Sequence, residues 1–156
     1  MSKRTKRIII SLLIIFALSY ISICFYTASR LTIKTNELVT TVYESSGIYD
    51  GSEVISEKDY NTIAAGSYWK GDYANDELNW NYYVDYIHTF SFGFKAYTYV
   101  QDACYLSSPS GDHVSGYCNR PLRIDWIYKN GQYRVEKVYD YITPGIIHRL
   151  FDFLFD

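Results

Sequence analysis

Cysteine, proline, histidine and methionine are all scarce in this 156-residue chain, which has three, three, three and one of them. So few histidines and cysteines leave little material for metal ligation or nucleophilic catalysis. No Gly-x-Ser-x-Gly elbow, His-Glu-x-x-His zinc helix or phosphate-cradling glycine loop is written in the sequence. Basic residues are also short outside the amino terminus. Residues 1–29 hold Lys3, Arg4, Lys6 and Arg7 and no acid, so the other 127 residues carry 11 basic side chains against all 17 acidic ones, a formal net charge of −6. A body this acidic lacks the clustered Lys and Arg that phosphate contacts need, and no nucleic-acid partner is expected. Aromatics, by contrast, are abundant at 19% of the chain, and 16 of the 18 tyrosines follow residue 29. That composition excludes low-complexity disorder, and the length suits one folded domain.

Ile8 to Tyr26 is a run of 19 residues without a charge or a proline. As a helix it would be ~28 Å long at ~1.5 Å per residue, close to the hydrocarbon thickness of a bilayer. Four cations precede it, and only Arg30 and Lys34 follow closely. The positive-inside bias therefore predicts a cytoplasmic amino terminus and an extracytoplasmic remainder. A cleaved signal peptide would have a shorter apolar core and small residues at its cut site, which Tyr26-Thr27-Ala28 supplies poorly. A lipoprotein signal wants a small residue before its cysteine, and Ile23 precedes Cys24. A soluble core helix would not be apolar all round. The expectation is a basic cytoplasmic tail over 1–7 and a transmembrane signal-anchor over 8–28, making a single-pass protein of the cell membrane.

Cys24 falls inside that span and reads as a buried apolar thiol. Cys104 and Cys118 remain, and in an oxidising compartment such a pair is expected to form a structural disulfide. Only His113 lies between them, and a Cys₂His set lacks a fourth protein ligand. No metal and no cofactor are expected.

Residues 30–55 read as a membrane-proximal helix and linker. Leu31, Leu38, Val39, Val42 and Tyr43 keep helical spacing, Gly47 offers a stop, and Asp50-Gly51-Ser52 is a turn. Ser56 starts a second helix as its cap, with Asp59 at the third helical position and Tyr60, Ile63, Ala64 and Tyr68 on one face. The loop Asp72, Asp76, Glu77 is acidic without calcium-loop spacing. From Trp80 the period changes to two. Trp80, Tyr82, Val84, Tyr86, His88, Phe90, Phe92 and Phe94 alternate with mostly polar or small residues, which predicts strand with the even side buried. The run is too long for one flat strand, so a bend, bulge or break is expected between His88 and Gly93.

Asn130-Gly131 is a two-residue hairpin signal. It sets Lys129 against Gln132, Tyr128 against Tyr133, Trp126 against Val135 and Leu122 against Tyr139. Upstream, Ser107 to Asp112 is a cluster of turn residues. Placing Cys104 opposite Cys118 across it sets Val100 against Leu122, Ala96 against Trp126 and Phe94 against Tyr128, so apolar faces coincide while the two cysteines meet. A three-stranded antiparallel meander pinned by a Cys104–Cys118 disulfide follows. Thr143-Pro144 then opens a carboxy-terminal amphipathic helix over 143–156. Its apolar stripe includes Ile147, Leu150, Phe151 and Leu154. This face can pack on the sheet, lie at the membrane surface, or bind a partner or a second copy of the chain.

The fold class is therefore α+β: a transmembrane helix, one or two further helices, a curved antiparallel sheet and a terminal amphipathic helix, with residues 56–142 as the extracytoplasmic domain. The stretch Ile124-Asp125-Trp126-Ile127-Tyr128-Lys129-Asn130-Gly131-Gln132-Tyr133-Arg134-Val135 resembles the final hairpin of cystatin-like or nuclear-transport-factor-2-like domains. The resemblance extends in element order over 56–142. It implies a bent sheet wrapped around helices into a cone, and membrane-anchored forms that include assembly factors of conjugation and secretion machines. It brings no catalytic residue.

Three functional readings are compatible with these features. The first is a non-enzymatic extracytoplasmic module that binds or assembles an envelope protein. The second is a small-ligand-binding or hydrolytic domain whose concave aromatic face, Tyr82, Tyr86, His88, Phe90, Phe92 and Phe94, lines a pocket, with Asp85 and His88 as polar groups. The third is an immunity or inhibitor protein. The same aromatic residues can equally form a protein interface, where tyrosine is enriched.

Overall fold

The computed structural model describes residues 3–45, 48–65 and 79–140, with side chains described throughout except at 79–83, 85–86, 102–106 and 113–119. Helix α1 runs unbroken over Lys3–Glu44. At ~1.5 Å per residue it is ~63 Å long, about twice the hydrocarbon thickness of a membrane. Its amino-terminal part is long and apolar enough to cross a membrane, and none of that stretch is buried within the protein. The remainder lies against the sheet and buries Leu31, Thr35, Val39, Val42 and Tyr43. This half is rich in β-branched residues with modest helix propensity. Packing of the 31/35/39/42/43 stripe sustains it, and the threonines return their hydroxyls to the preceding turn: Thr32 to the Ala28 carbonyl at 3.0 Å and Thr35 to that of Leu31 at 2.7 Å.

Helix α2 spans Glu57–Ala64 and starts as its sequence predicts, with Ser56 as cap accepting the Asp59 N–H at 3.2 Å. It buries Asp59, Tyr60, Ile63 and Ala64. Four strands follow: β1 (Asn79–Ser91), β2 (Lys95–Ser107), β3 (His113–Lys129) and β4 (Gln132–Asp140). They form one antiparallel sheet in the order β1-β2-β3-β4. The fold is α+β, as expected. The expected terminal helix with Ile147, Leu150, Phe151 and Leu154 falls outside the described residues, as do Gly47, Tyr68 and the expected acidic loop at 72–77.

The register matches most of the predicted pairs. Val100 faces Leu122, Ala96 faces Trp126, and Cys104 faces Cys118. Asn130 and Gly131 adopt φ of 54° and 82°, and positive φ at both central positions is the requirement of the tightest hairpin turn. Lys129–Gln132, Tyr128–Tyr133 and Trp126–Val135 pair as expected. The expected Leu122–Tyr139 pair does not form, because a bulge places Leu122 opposite Asp140 and Arg123 opposite Tyr139. Its reason is visible in the packing. Val135 and Val138 are three residues apart yet both are buried, and only an inserted residue on β4 puts both on one face.

A second correction concerns β1. The even-numbered run does not share one buried face. The register shifts between Val84 and Tyr86, so Tyr82 and Val84 pair with Cys104 and Asp102, whereas Tyr86, His88 and Phe90 pair with Gln101, Tyr99 and Tyr97. Past the bulge the core row becomes Ile87, Thr89 and Ser91, opposite Val100, Thr98 and Ala96. Phe92 and Phe94 are not in a strand at all. They flank Gly93 (φ 83°) in the β1–β2 turn, 60% and 76% exposed. The long run is thus one strand that ends at Ser91 and a turn around Gly93, and with β1 the sheet has one more strand than the predicted three-stranded meander.

Helices α1 and α2 cover one face of this sheet. The core joins Leu31, Val39, Val42 and Tyr43 of α1 and Tyr60, Ile63 and Ala64 of α2 to Ala96, Val100, Leu122, Ile124, Trp126, Val135 and Val138. The outer edge of β4 is closed by the chain before α2 and by the first turn of α2: the Val135 N–H donates to the Val54 carbonyl at 2.8 Å, and the Val138 N–H to Asp59 Oδ1 at 2.8 Å. Such contacts prevent an edge strand from pairing with another chain. Asp59 also accepts the Ser56 hydroxyl at 2.5 Å. Replacing Asp59→Ala orphans a buried amide and removes half of this cap. A loss of about 1–3 kcal/mol is expected, read as a lower urea midpoint for the full chain in detergent micelles.

Candidate interaction surface

The sheet face opposite the helices carries two cross-strand rows. His88, Tyr99, Arg123 and Tyr139 form one, and Phe90, Tyr97, Asp125 and Lys137 the other. Alternation along each strand dictates this: if Thr98, Ile124 and Val138 face the core, their neighbours must face away. The outward residues are large and interlock. Arg123 lies over the rings of Tyr97 and Tyr139, 5.1 and 4.8 Å from their centroids. Its guanidinium forks onto Asp125, with Nε to Oδ1 at 2.6 Å and Nη2 to Oδ2 at 2.7 Å. Lys137 Nζ sits 4.4 Å over Tyr139. His88 stacks on Phe90 at 5.8 Å, and Phe90 meets Tyr99 edge-on at 6.3 Å.

This is a pre-set surface of aromatic rings with a neutralised ion pair at its centre. The Asp125 hydrogen bonds hold the Arg123 guanidinium even more firmly in its charged form than usual, against an opposing effect of burial. Arg123 is therefore a fixed positive charge on this face, held in one orientation by Asp125. Tyrosine and arginine in a rigid, part-buried setting are the residue types that dominate protein-interface energetics.

Two grooves flank α1. One, of about 420 Å³, is lined by Tyr26, Arg30, Lys34, Glu37 and Tyr133 among others. Lys34 Nζ donates to the Tyr133 carbonyl at 3.1 Å and lies 5.8 Å from the Trp126 ring centroid. Burial pushes the Lys34 amine below the ordinary lysine range, and Glu37 opposes that shift. The other groove, of about 430 Å³, lies between α1 and the β1–β2 turn and is lined mainly by apolar groups of Tyr20, Ile21, Cys24, Phe25, Phe90 and Phe92.

The predicted aromatic set is therefore divided among different places. His88 and Phe90 stand on the sheet face opposite α1 and α2, Phe92 and Phe94 at the hairpin tip, and the side chains of Tyr82 and Tyr86 lie outside the described ones, as does that of Asp85. Cys104 and Cys118 are register partners at the Cα level. Among the described residues, no three His, Cys, Asp or Glu side chains stand together as a metal-ligand cluster. Sequence reasoning missed Tyr97, Tyr99, Arg123, Asp125 and Tyr139. The signal was present: Arg123 and Asp125, opposite in charge and two apart on a strand, must share a face.

No family model and no curated protein matches this sequence. Solved structures similar to this chain include the intermembrane space region of the chloroplast protein ARC6, at 11% identity over 72% of this chain and 97% of that one, with a TM-score of 0.33. A domain of unknown function with a cystatin-like fold from Nostoc punctiforme is similar at 13% identity and a TM-score of 0.28. The chain covers 58% of that domain's length, over 62% of its own.

Proposed function

We propose that this chain is a non-enzymatic, single-pass membrane protein with a cytoplasmic amino terminus, whose extracytoplasmic α+β domain uses the sheet face opposite α1 and α2 to bind or help assemble an envelope protein. The observation that carries the reading is the continuity of α1. One helix is apolar and unburied at its amino-terminal end and forms part of the domain's core at the other. No flexible linker separates anchor from domain, so this face is presented at a fixed height and angle to the membrane. A receptor or assembly subunit gains from such pre-organisation, since less orientational freedom is lost on binding. The interlocked Arg123 surface supplies the chemistry of recognition.

Cross-linking in intact membranes tests this. A photoreactive residue in place of Lys137, exposed on β4 at the rim of this face, should capture one envelope protein at a discrete mass. Arg123→Ala should abolish that capture, because it removes the stack between Tyr97 and Tyr139. Recovery of only lipids or small molecules defeats the assembly reading. The compartment has its own readout. In protein from native membranes, non-reduced peptide mapping should show Cys104 joined to Cys118, and reduction should cost the fold about 3 kcal/mol by loop-closure entropy. Two alkylatable thiols at these positions would refute the oxidising location.

A further inference from the structure

We propose that the tip of the β1–β2 hairpin, Phe92-Gly93-Phe94, is inserted among the phospholipids of the leaflet next to the domain, giving it a second attachment to the membrane besides α1. This rests on the single-pass reading above and adds to it a lipid-binding site on the folded domain.

Three features of the turn point to lipid. The first is position. The Tyr20 hydroxyl donates to the Phe92 carbonyl at 3.1 Å, and the Tyr20 ring lies against Gly93, where an added Cβ would stand 3.8 Å from it. Tyr20 is six residues before the end of the apolar run at Tyr26, so it lies ~9 Å inside that run at ~1.5 Å per residue. The tip is held beside a segment that must be in contact with lipid if α1 crosses the bilayer over 8–26.

The second is surface chemistry. Phe92 and Phe94 are 60% and 76% exposed, and Tyr128, whose N–H donates to the Phe94 carbonyl, is 44% exposed beside them. Lys95 and Lys129 follow on the same end of the sheet, both exposed. Aromatic rings with lysines just behind them match the interfacial layer, where rings enter the headgroup level and ammonium groups reach phosphate. The apolar groove between α1 and the turn continues this surface to Phe25 and Cys24.

The third is the backbone. All three carbonyls of the turn accept hydrogen bonds from within the protein: Phe92 from the Tyr20 hydroxyl, Gly93 from the Tyr133 hydroxyl, and Phe94 from the Tyr128 N–H. The Phe92 N–H donates to the Lys95 carbonyl at 2.8 Å. Two of these bonds continue the strand ladders, and the two tyrosine hydroxyls are provision beyond what a hairpin in water needs. A turn entering a medium without hydrogen-bonding groups requires it, because each unsatisfied carbonyl there costs several kcal/mol.

The test uses the full chain in vesicles of phosphatidylcholine and phosphatidylglycerol. Photoreactive p-benzoylphenylalanine is placed singly at three exposed positions: Phe94, Ile14 within the apolar run, and Ser110 in the β2–β3 turn. Ser110 is at the far end of β2, which at ~3.3 Å per residue is roughly 40 Å from the tip. Cross-linked phospholipid is then measured by mass spectrometry. The expected result is lipid adducts at Phe94 comparable to those at Ile14 and at least about tenfold above those at Ser110, which lies beyond the reach of the bilayer. Adducts at Ile14 with Phe94 no better than Ser110 overturn the insertion and leave the anchor standing. Adducts at Phe94 chiefly to a second copy of the chain also overturn it. Absence of lipid at both Ile14 and Phe94 removes the anchor and the insertion together.

Discussion

Replacing Arg120→Ala should lower the stability of the folded domain by about 3–5 kcal/mol, the cost of stripping one partner from a buried charged network. Arg120 is only 2% exposed. Its guanidinium donates to the Ile63 carbonyl at 2.5 Å and the Thr62 carbonyl at 3.3 Å, in the last turn of α2. Those carbonyls lie at the carboxy-terminal end of the helix and carry the negative end of its dipole, so a cation there is well suited. Nη2 also reaches the Tyr43 hydroxyl of α1 at 3.3 Å, and Nε lies 3.6 Å from Asp140 Oδ1 of β4. One side chain on β3 thus joins both helices and a neighbouring strand. Arg120→Lys keeps the charge without the fork and should recover only part of the loss. Urea unfolding of the full chain in detergent micelles, followed by tryptophan fluorescence, measures both. A change below about 1 kcal/mol for Arg120→Ala would mean that other groups serve these carbonyls.

Elements set by local chemistry were legible in the sequence. Asn130-Gly131 fixes its turn through two positive φ angles, and the register from Lys129–Gln132 to Trp126–Val135 follows from it without tertiary knowledge. Ser56 caps α2 for a similarly local reason. The register of β2 on β3 was legible because only one alignment matched apolar faces while opposing Cys104 to Cys118. The bulges on β1 and β4 were not, nor were the register shifts between Cys104 and Ser107. An inserted residue changes neither composition nor hydrophobicity, so a count of alternating positions runs through it undisturbed. On β4 a trace existed, since Val135 and Val138 break the period of two. On β1 the even-numbered aromatics on both sides of the bulge concealed it.

The candidate surface was misread for the same cause. After the bulge between Val84 and Tyr86, parity reverses, so His88 and Phe90 stand with Tyr97 and Tyr99 on the face opposite α1 and α2 and not over the core those helices form. Phe92-Gly93-Phe94 continues the alternation in letters while the backbone is already turning at Gly93. Arg120 was hidden differently. Its phase with Leu122 and Ile124 placed it inward, yet an isolated arginine in a strand reads as exposed unless its partners are known. Those partners, the α2 carbonyls and Tyr43, are 57 and 77 residues away in the chain.

Trp126→Ala should be as damaging as loss of Arg120, at about 3–5 kcal/mol, and for a different reason. The side chain is fully buried at the centre of the sheet. It is flanked by the register partners Ala96 and Val135, and the small Ala96 leaves room for the indole. Removal leaves a cavity that neighbouring strands cannot close. Trp126 also begins a polar chain through the core. Its Nε1–H donates to Thr98 Oγ1 at 3.0 Å, which is 3.1 Å from Thr89 Oγ1, itself 2.9 Å from Thr32 Oγ1 on α1. Three strands are thereby linked to the helix that carries the anchor. Separating volume from hydrogen bonding needs two gentler variants. Trp126→Phe keeps most of the ring and loses the donor, whereas Thr98→Val keeps the shape and orphans the indole N–H, at about 1–3 kcal/mol. The double variant removes both partners, so it should cost less than the sum of the two, and that shortfall is the coupling energy. Far-UV circular dichroism follows unfolding where the fluorophore itself is changed. Additive losses would show that the indole N–H and Thr98 act independently, and the link from β3 to α1 would then rest on packing alone.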